Sequence, residues 1–143
     1  MAPNLFRVVL ILITLYAFLR GGRDEKWAVA ILVLGVIATE LVLPPRQERF
    51  ATIEIKLLLV DLTVLGGFIA VALQSRRFWP LWVAGLHLTT ILGHGFKAMD
   101  ESLFAKAYAA SLVFWFYPML LILAIGTWRS HRRSRRSVAI APA

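Results

Sequence analysis

Five long apolar stretches, separated by short polar segments, dominate the pattern of the chain. They cover residues 3–19, 27–43, 53–73, 79–99 and 107–128. Each approaches the length of about 20 residues that a helix needs to cross the hydrocarbon of a bilayer. Backbone groups in hydrocarbon have no water to bond, so each stretch is predicted to be an α-helix. The pattern therefore predicts an all-α integral membrane bundle of five transmembrane helices, in one domain over residues 1–128.

The overall composition supports this class and excludes several kinds of chemistry. Of the 143 residues, 59% are hydrophobic and 17% charged, and the mean hydropathy is +0.74. A soluble domain of this size carries about 45–50% apolar residues, and its core could not enclose more. The chain has no cysteine, which excludes disulfides, thiolate metal sites and cysteine nucleophiles. No nucleotide-binding or nucleophile-elbow motif occurs, and we expect neither an enzyme nor a metal site.

The distribution of positive charge predicts the orientation. Ten of the sixteen Lys and Arg residues lie in the first loop, the third loop and the segment after Trp128, and six lie on the opposite side. Cytoplasmic segments carry the excess of Lys and Arg. The N-terminus is therefore predicted outside and the C-terminus inside, in a multi-pass protein of the plasma (inner) membrane.

The last segment, residues 129–143, is predicted to be a disordered basic tail in the cytoplasm. Its arginines lie between Arg129 and Arg136, with no aromatic residue or glycine among them for stacking on bases. We expect this run to bind anionic lipid at the membrane surface rather than nucleic acid.

Ionisable and polar residues inside the spans are the main candidates for function, because burying them in lipid is costly. Asp61 lies 16 residues before Arg77, and His94 lies 16 residues after Phe78. In an antiparallel pair of helices both reach the same depth, about 24 Å from the turn. This spacing predicts a contact between Asp61 and His94, which would serve either to fix helix register or to bind a proton or a cation.

Other polar residues are predicted at the same outer level. Glu40 and Glu54 would complete the proton- or cation-binding set with Asp61 and His94. Supporting polar residues would be Arg7, Lys97, His87 and Thr90, with His87 nearer mid-membrane. His87, Thr90, His94 and Lys97 recur at spacings of three and four residues, which places them on one face of the fourth helix.

Two further patterns concern packing and apolar ligands. Small residues at Gly85, Thr89 and Gly93, and at Gly66 and Ala70, predict close contact between the third and fourth helices. Trp115, Phe116 and Tyr117 precede Pro118 in the fifth span, and they either pack against neighbours or line a site for an apolar ligand.

The function that these features favour is proton- or cation-linked transport by a small transport or channel-type protein, or by a subunit of one. A chain of 143 residues encloses little volume, so we expect a homo-oligomer or a larger membrane complex. The first alternative is a non-catalytic accessory or anchor subunit. The second is a redox anchor that binds haem b or quinone, although His87 and His94 are about 10.5 Å apart along one helix and cannot hold one haem between them.

Overall fold

The computed structural model describes residues 3–43, 55–99 and 114–140, and these ranges contain helices and no strands. The helices are α1 (Pro3–Arg20), α2 (Arg23–Val42), α3 (Ile55–Gln74), α4 (Trp79–Met99) and α5 (Phe116–Ile140). The predicted all-α class with five helices is confirmed. Residues 53–54 of the predicted third span and 107–113 of the predicted fifth span lie outside the described residues.

Local sequence explains where the helices begin and end. The Gly21 amide donates to the Ala17 carbonyl over 2.8 Å at the end of α1, and a side chain at Gly21 would collide with that carbonyl. The first turn of α2 contains Asp24 and Glu25, whose negative charge suits a helix N-terminus. Leu43 leaves α2 in an extended conformation, as expected for a residue before proline. Gly21 and Gly22 therefore form a short turn between α1 and α2.

The helices form a closed ring in chain order. Each packs against the next one described along the chain, α5 returns to α1, and α2 also contacts α5. The apolar core lies inside this ring and includes Leu32 from α2, Phe68 from α3, Val83 from α4 and Leu120 from α5. The α1–α2 turn, the α3–α4 turn and the basic part of α5 meet at one end, where Arg77 pairs with Glu25 and Arg20 contacts His131.

The predicted packing rows of α3 and α4 are confirmed only in part, because the two helices are in close contact and Gly93 is buried, but two of the other glycines are exposed. Gly66 and Gly85 are exposed, and a Cβ atom built on either would meet nothing within 4 Å. The close approaches occur elsewhere: Gly35 of α2 faces Val64, and Gly67 of α3 faces Ile31. Gly35 and Gly67 thus permit close contact between α2 and α3.

The C-terminal segment differs from the predicted disordered tail, because α5 continues through the basic run to Ile140. Arginine is a good helix former, so the basic run favours continuation of the helix. The Ser134 and Ser137 hydroxyls donate to the Ser130 and Arg133 carbonyls, four residues back in the helix. The last helix thus extends beyond the predicted end at Trp128.

Of the described helices, α3 alone is long and apolar enough to cross a membrane by length and composition. The other helices carry more charge or polarity, such as Arg23 to Lys26 at the start of α2 and two histidines with Lys97 in α4. Length and composition thus identify one candidate span where the sequence analysis predicts five.

Candidate functional site

A buried acid–base contact connects α3 and α4. His94 Nε2 lies 2.9 Å from Asp61 Oδ2, and both residues are at most 8% exposed. The two helices are antiparallel and joined by a short turn, so residues equally distant from the turn lie opposite each other. The predicted Asp61–His94 contact is therefore present.

His87 completes the cluster from about two helical turns before His94 on α4. Its Nε2 lies 3.0 Å from the backbone carbonyl oxygen of Asp61 and 3.9 Å from Oδ1. A carbonyl oxygen only accepts hydrogen bonds, so His87 Nε2 carries the proton in this contact. Asp61 is thus contacted by two imidazoles, through its carboxylate and through its backbone. We name Asp61, His87 and His94 the acid–histidine cluster.

The environment of His87 is apolar and aromatic. The ring lies edge-on to Phe68 at 5.6 Å and to Phe116 at 6.5 Å between centroids. In the described part of the chain, His87 Nδ1 and the Thr90 hydroxyl are buried without a hydrogen-bond partner. A neutral ring with its proton on Nε2 has its lone pair on Nδ1, so this atom is free to accept a proton.

Lys97 is 1% exposed and lies three residues beyond His94 on the same helix face. The structure therefore buries all four members of the face predicted on α4, namely His87, Thr90, His94 and Lys97. This face turns towards the interior of the bundle.

The structure does not bring Arg7 and Glu40 into the cluster, which corrects their predicted placement. Both side chains are exposed, and neither makes an ion pair with the acid–histidine cluster among the described residues. Arg7 is on α1, which packs against α2 and α5. Glu40 is five residues after Gly35, which faces α3, and five residues rotate a helix by about 140° away from that contact. Glu54 lies outside the described residues.

The aromatic residues near the start of α5 pack against α1. The Phe6 ring lies edge-on to Phe116 at 5.8 Å and to Tyr117 at 6.0 Å. Trp115, Phe116 and Tyr117 are all partly buried. These contacts give two of the three aromatics a packing role, and a site for an apolar ligand along them stays a prediction.

A second polar cluster, at the opposite end of the bundle, was missed by sequence reasoning. Glu25 is 0% exposed; its carboxylate pairs with Arg77 and accepts from the Gly22 amide over 2.8 Å. Asp24 accepts from the Ser75 hydroxyl over 2.6 Å, and that hydroxyl accepts from the Arg77 amide. The sequence did contain an indication of this cluster, because the predicted topology puts Asp24 and Glu25 on the same side of the membrane as Arg76 and Arg77.

His131 belongs to this same end of the molecule. Its Nε2 lies 3.2 Å from Arg20 Nη1, and a guanidinium only donates, so the imidazole accepts. Desolvation lowers the pKa of His131 from its ordinary value of 6.5, and the positive charges of Arg135 and Arg20 lower it further. The neutral ring is therefore the form that joins α1 to α5.

Comparisons with known proteins do not assign a family or a function to the chain. No protein-family model matches the chain, and no curated protein or solved structure is significantly similar to it. The physical arrangement of the side chains carries the functional argument.

Proposed function

We propose that the chain is a five-span protein of the plasma (inner) membrane, with its N-terminus outside and its C-terminus in the cytoplasm. Every helix exposes large apolar side chains, including Leu12, Leu34, Leu73, Leu92 and Leu121, each at least 53% exposed. Ionisable groups lie inside instead, with Glu25, His87, His94 and Lys97 at most 1% exposed. Water favours the opposite distribution, and lipid favours this one.

Within that membrane protein, we propose that the acid–histidine cluster binds protons as part of proton-linked transport. The observation that carries this proposal is the carboxylate of Asp61 lying between two imidazole Nε2 atoms, at 2.9 Å and 3.9 Å. Histidine is the side chain whose ordinary pKa lies closest to neutral pH, so it exchanges protons readily there. An ionisable group inside a span is a functional candidate because its burial is costly.

The Asp61–His94 contact can persist in two protonation states. When Asp61 is ionised, His94 Nε2–H donates to its Oδ2 atom. When Asp61 is protonated, its hydroxyl can donate to Nε2 of a neutral His94 whose proton is on Nδ1. The cluster can therefore take up or release a proton by exchanging donor and acceptor, without separating α3 from α4.

The geometry favours a proton over a metal cation as the bound species. Both imidazole Nε2 atoms already face Asp61, at its carboxylate and its backbone carbonyl. Among the described residues, no group of three or more His, Cys, Asp or Glu side chains could hold a metal ion. Haem iron bound at either Nε2 atom would replace these contacts. Among the described residues, His87 Nδ1 is the ring nitrogen of this cluster that is buried without a hydrogen-bond partner.

A second copy of the chain completes the proposed transport pathway. The ring of five helices is closed and has an apolar core, so a continuous polar route through one chain would have to displace packed side chains. A homo-oligomer or a larger complex would provide that route between chains. Chemical crosslinking of the protein in liposomes measures this association directly.

Proton flux into liposomes tests the proposed function. The purified protein is reconstituted with a pH-sensitive dye inside, and a potassium diffusion potential drives proton entry. We expect flux with the wild type, and only the rate of protein-free liposomes with Asp61→Asn or His94→Gln. Thr63→Val is the matched control, because Thr63 is exposed on α3 and bonds only its own helix, at the Leu59 carbonyl.

Two outcomes contradict the proposal. A wild-type protein that is correctly inserted and shows no flux is not a proton transporter on its own. Equal flux in the wild type and Asp61→Asn would show that the cluster does not take part in transport. Its role would then be to fix the register of the helices.

A further inference from the structure

A pocket of about 300 Å³ lies at the end of the bundle where the α3–α4 turn meets α5. Its polar rim contains Arg76 from the turn and Arg129 and Arg133 from α5. Its apolar part contains Phe78, Ile122 and Ile125. The pocket therefore joins three guanidinium groups to an apolar surface that continues along the outside of α5 towards the middle of the bundle.

The three arginines of the rim have no acidic partner in the part of the chain that the structure describes. Arg77, the fourth arginine of the pocket, is held by the buried Glu25. Arg129 and Arg133 are four residues apart and lie on the same face of α5. Three like charges around one pocket repel one another, and an anion placed between them would remove that repulsion.

Trp79 supplies a second, independent feature of the pocket. Its ring packs on Gly126, where a Cβ atom would come within 3.1 Å of the indole. Its Nε1 atom is buried and has no acceptor among the described residues. Leaving a buried N–H donor without a hydrogen-bond partner is unfavourable.

We propose that this pocket binds the phosphodiester headgroup of one anionic phospholipid in the cytoplasmic leaflet. Arg76, Arg129 and Arg133 contact the phosphate oxygens, and the acyl chains lie along Ile122 and Ile125. Arginine suits this role because its planar fork binds phosphate through paired hydrogen bonds. The proposal rests on the membrane placement given above, and it does not depend on proton transport by the acid–histidine cluster.

This site differs from general attraction between the basic segment and a charged surface. General attraction depends on total charge, so every exposed arginine of α5 would contribute alike. A pocket instead depends on the residues that line it. Arg76 lines the pocket from the α3–α4 turn, while Arg135 is exposed on α5 and does not line it. The two arginines therefore form a matched pair for a test.

Native mass spectrometry of the full chain in detergent measures lipid binding directly. The protein is titrated with phosphatidylglycerol, with phosphatidylcholine and with inorganic phosphate. We expect one tightly bound phosphatidylglycerol per chain and no tight phosphatidylcholine. Arg76→Gln should weaken that binding about tenfold or more, as loss of a charge-assisted hydrogen bond predicts, and Arg135→Gln should leave it within about twofold.

Three results would overturn the proposal. Equal weakening by Arg76→Gln and Arg135→Gln would show general attraction to the basic segment. Equal binding of both lipids, which share the phosphodiester and differ in net headgroup charge, would show that the pocket does not select an anionic lipid. Displacement of the lipid by inorganic phosphate would assign the pocket to a free phosphate ion. Extraction of the protein from cell membranes by alkaline carbonate would instead contradict the membrane placement itself.

Discussion

At the scale of single residues, Asp61 organises the centre of the molecule. One imidazole contacts its carboxylate and another contacts its backbone carbonyl, so a single position on α3 orients two histidines of α4. The level of this contact was predictable from equal spacing on either side of the turn. The burial of Glu25 and its pairing with Arg77 were not predicted, although the predicted topology puts both residues at the same end of the bundle.

His131 provides a prediction about pH at the same scale. Its pKa is lowered in the folded protein, so folding disfavours the protonated ring. The contribution of this residue to stability is therefore fully present above its ordinary pKa of 6.5 and is lost as the pH falls below that value. Protonation also removes the lone pair that accepts from Arg20.

Thermal unfolding in detergent between about pH 5 and pH 8 measures this effect. His131→Gln is the matched variant, because a glutamine oxygen can accept from Arg20 and does not titrate. We expect the wild type to lose more stability than His131→Gln on acidification, and the two to agree near the upper end of the range. Parallel curves for the two proteins would contradict the assignment.

At the scale of helices, the level of a residue along the bundle was easier to predict than the direction in which its side chain points around the helix axis. The five apolar stretches gave the helices and their approximate ends, because apolar length sets where a helix can cross lipid. The direction in which a residue points around its helix depends on which neighbours the helix has. Glu40 was therefore predicted in the cluster although its side chain is exposed, and Gly66 and Gly85 were predicted at the α3–α4 contact although both are exposed.

The α2–α3 contact gives a prediction at this scale. A Cβ atom at Gly35 would lie 2.6 Å from Val64 Cγ2, and Val64 is buried and stiff at χ1. Gly35→Ala should therefore lower the free energy of unfolding by about 1–3 kcal/mol. Gly66→Ala is the control, since its added methyl meets nothing within 4 Å, and it should be neutral or stabilise by up to about 1 kcal/mol.

Unfolding by sodium dodecyl sulfate in mixed micelles compares the two alanine variants. If Gly35→Ala is as stable as the wild type, the two helices are not in the close contact described. If Gly66→Ala is equally destabilised, that face of α3 is covered by something other than lipid or detergent.

At the scale of the whole molecule, apolar side chains lie both in the core and on the exposed surface, and several ionisable groups are buried. Apolar residues cover the outside of all five helices, and histidines, a lysine and two acids lie within. Composition alone indicated that the apolar fraction exceeds what a soluble core of this size encloses. It could not show which charges lie inside, because burial depends on how the helices pack.

The proposed orientation is testable by cysteine labelling, because the chain has no cysteine of its own. Glu40 and Ser137 are both exposed, and the proposed topology puts them on opposite sides of the membrane. A membrane-impermeant maleimide should label Glu40→Cys in intact cells and Ser137→Cys only after permeabilisation. Labelling of both variants in intact cells would contradict the five-span topology, and the opposite pattern would reverse the orientation.

The most direct test of the central claim is a pH titration of ¹⁵N-labelled histidines by NMR, with the protein in lipid bilayers. The chain has three histidines, and two of them belong to the acid–histidine cluster. We predict that the ¹⁵N signals of both cluster histidines respond to pH, and that Asp61→Asn alters both responses while Thr63→Val alters neither. Histidine signals that do not change between about pH 4 and pH 9, or that titrate identically in Asp61→Asn, would contradict proton binding by this cluster.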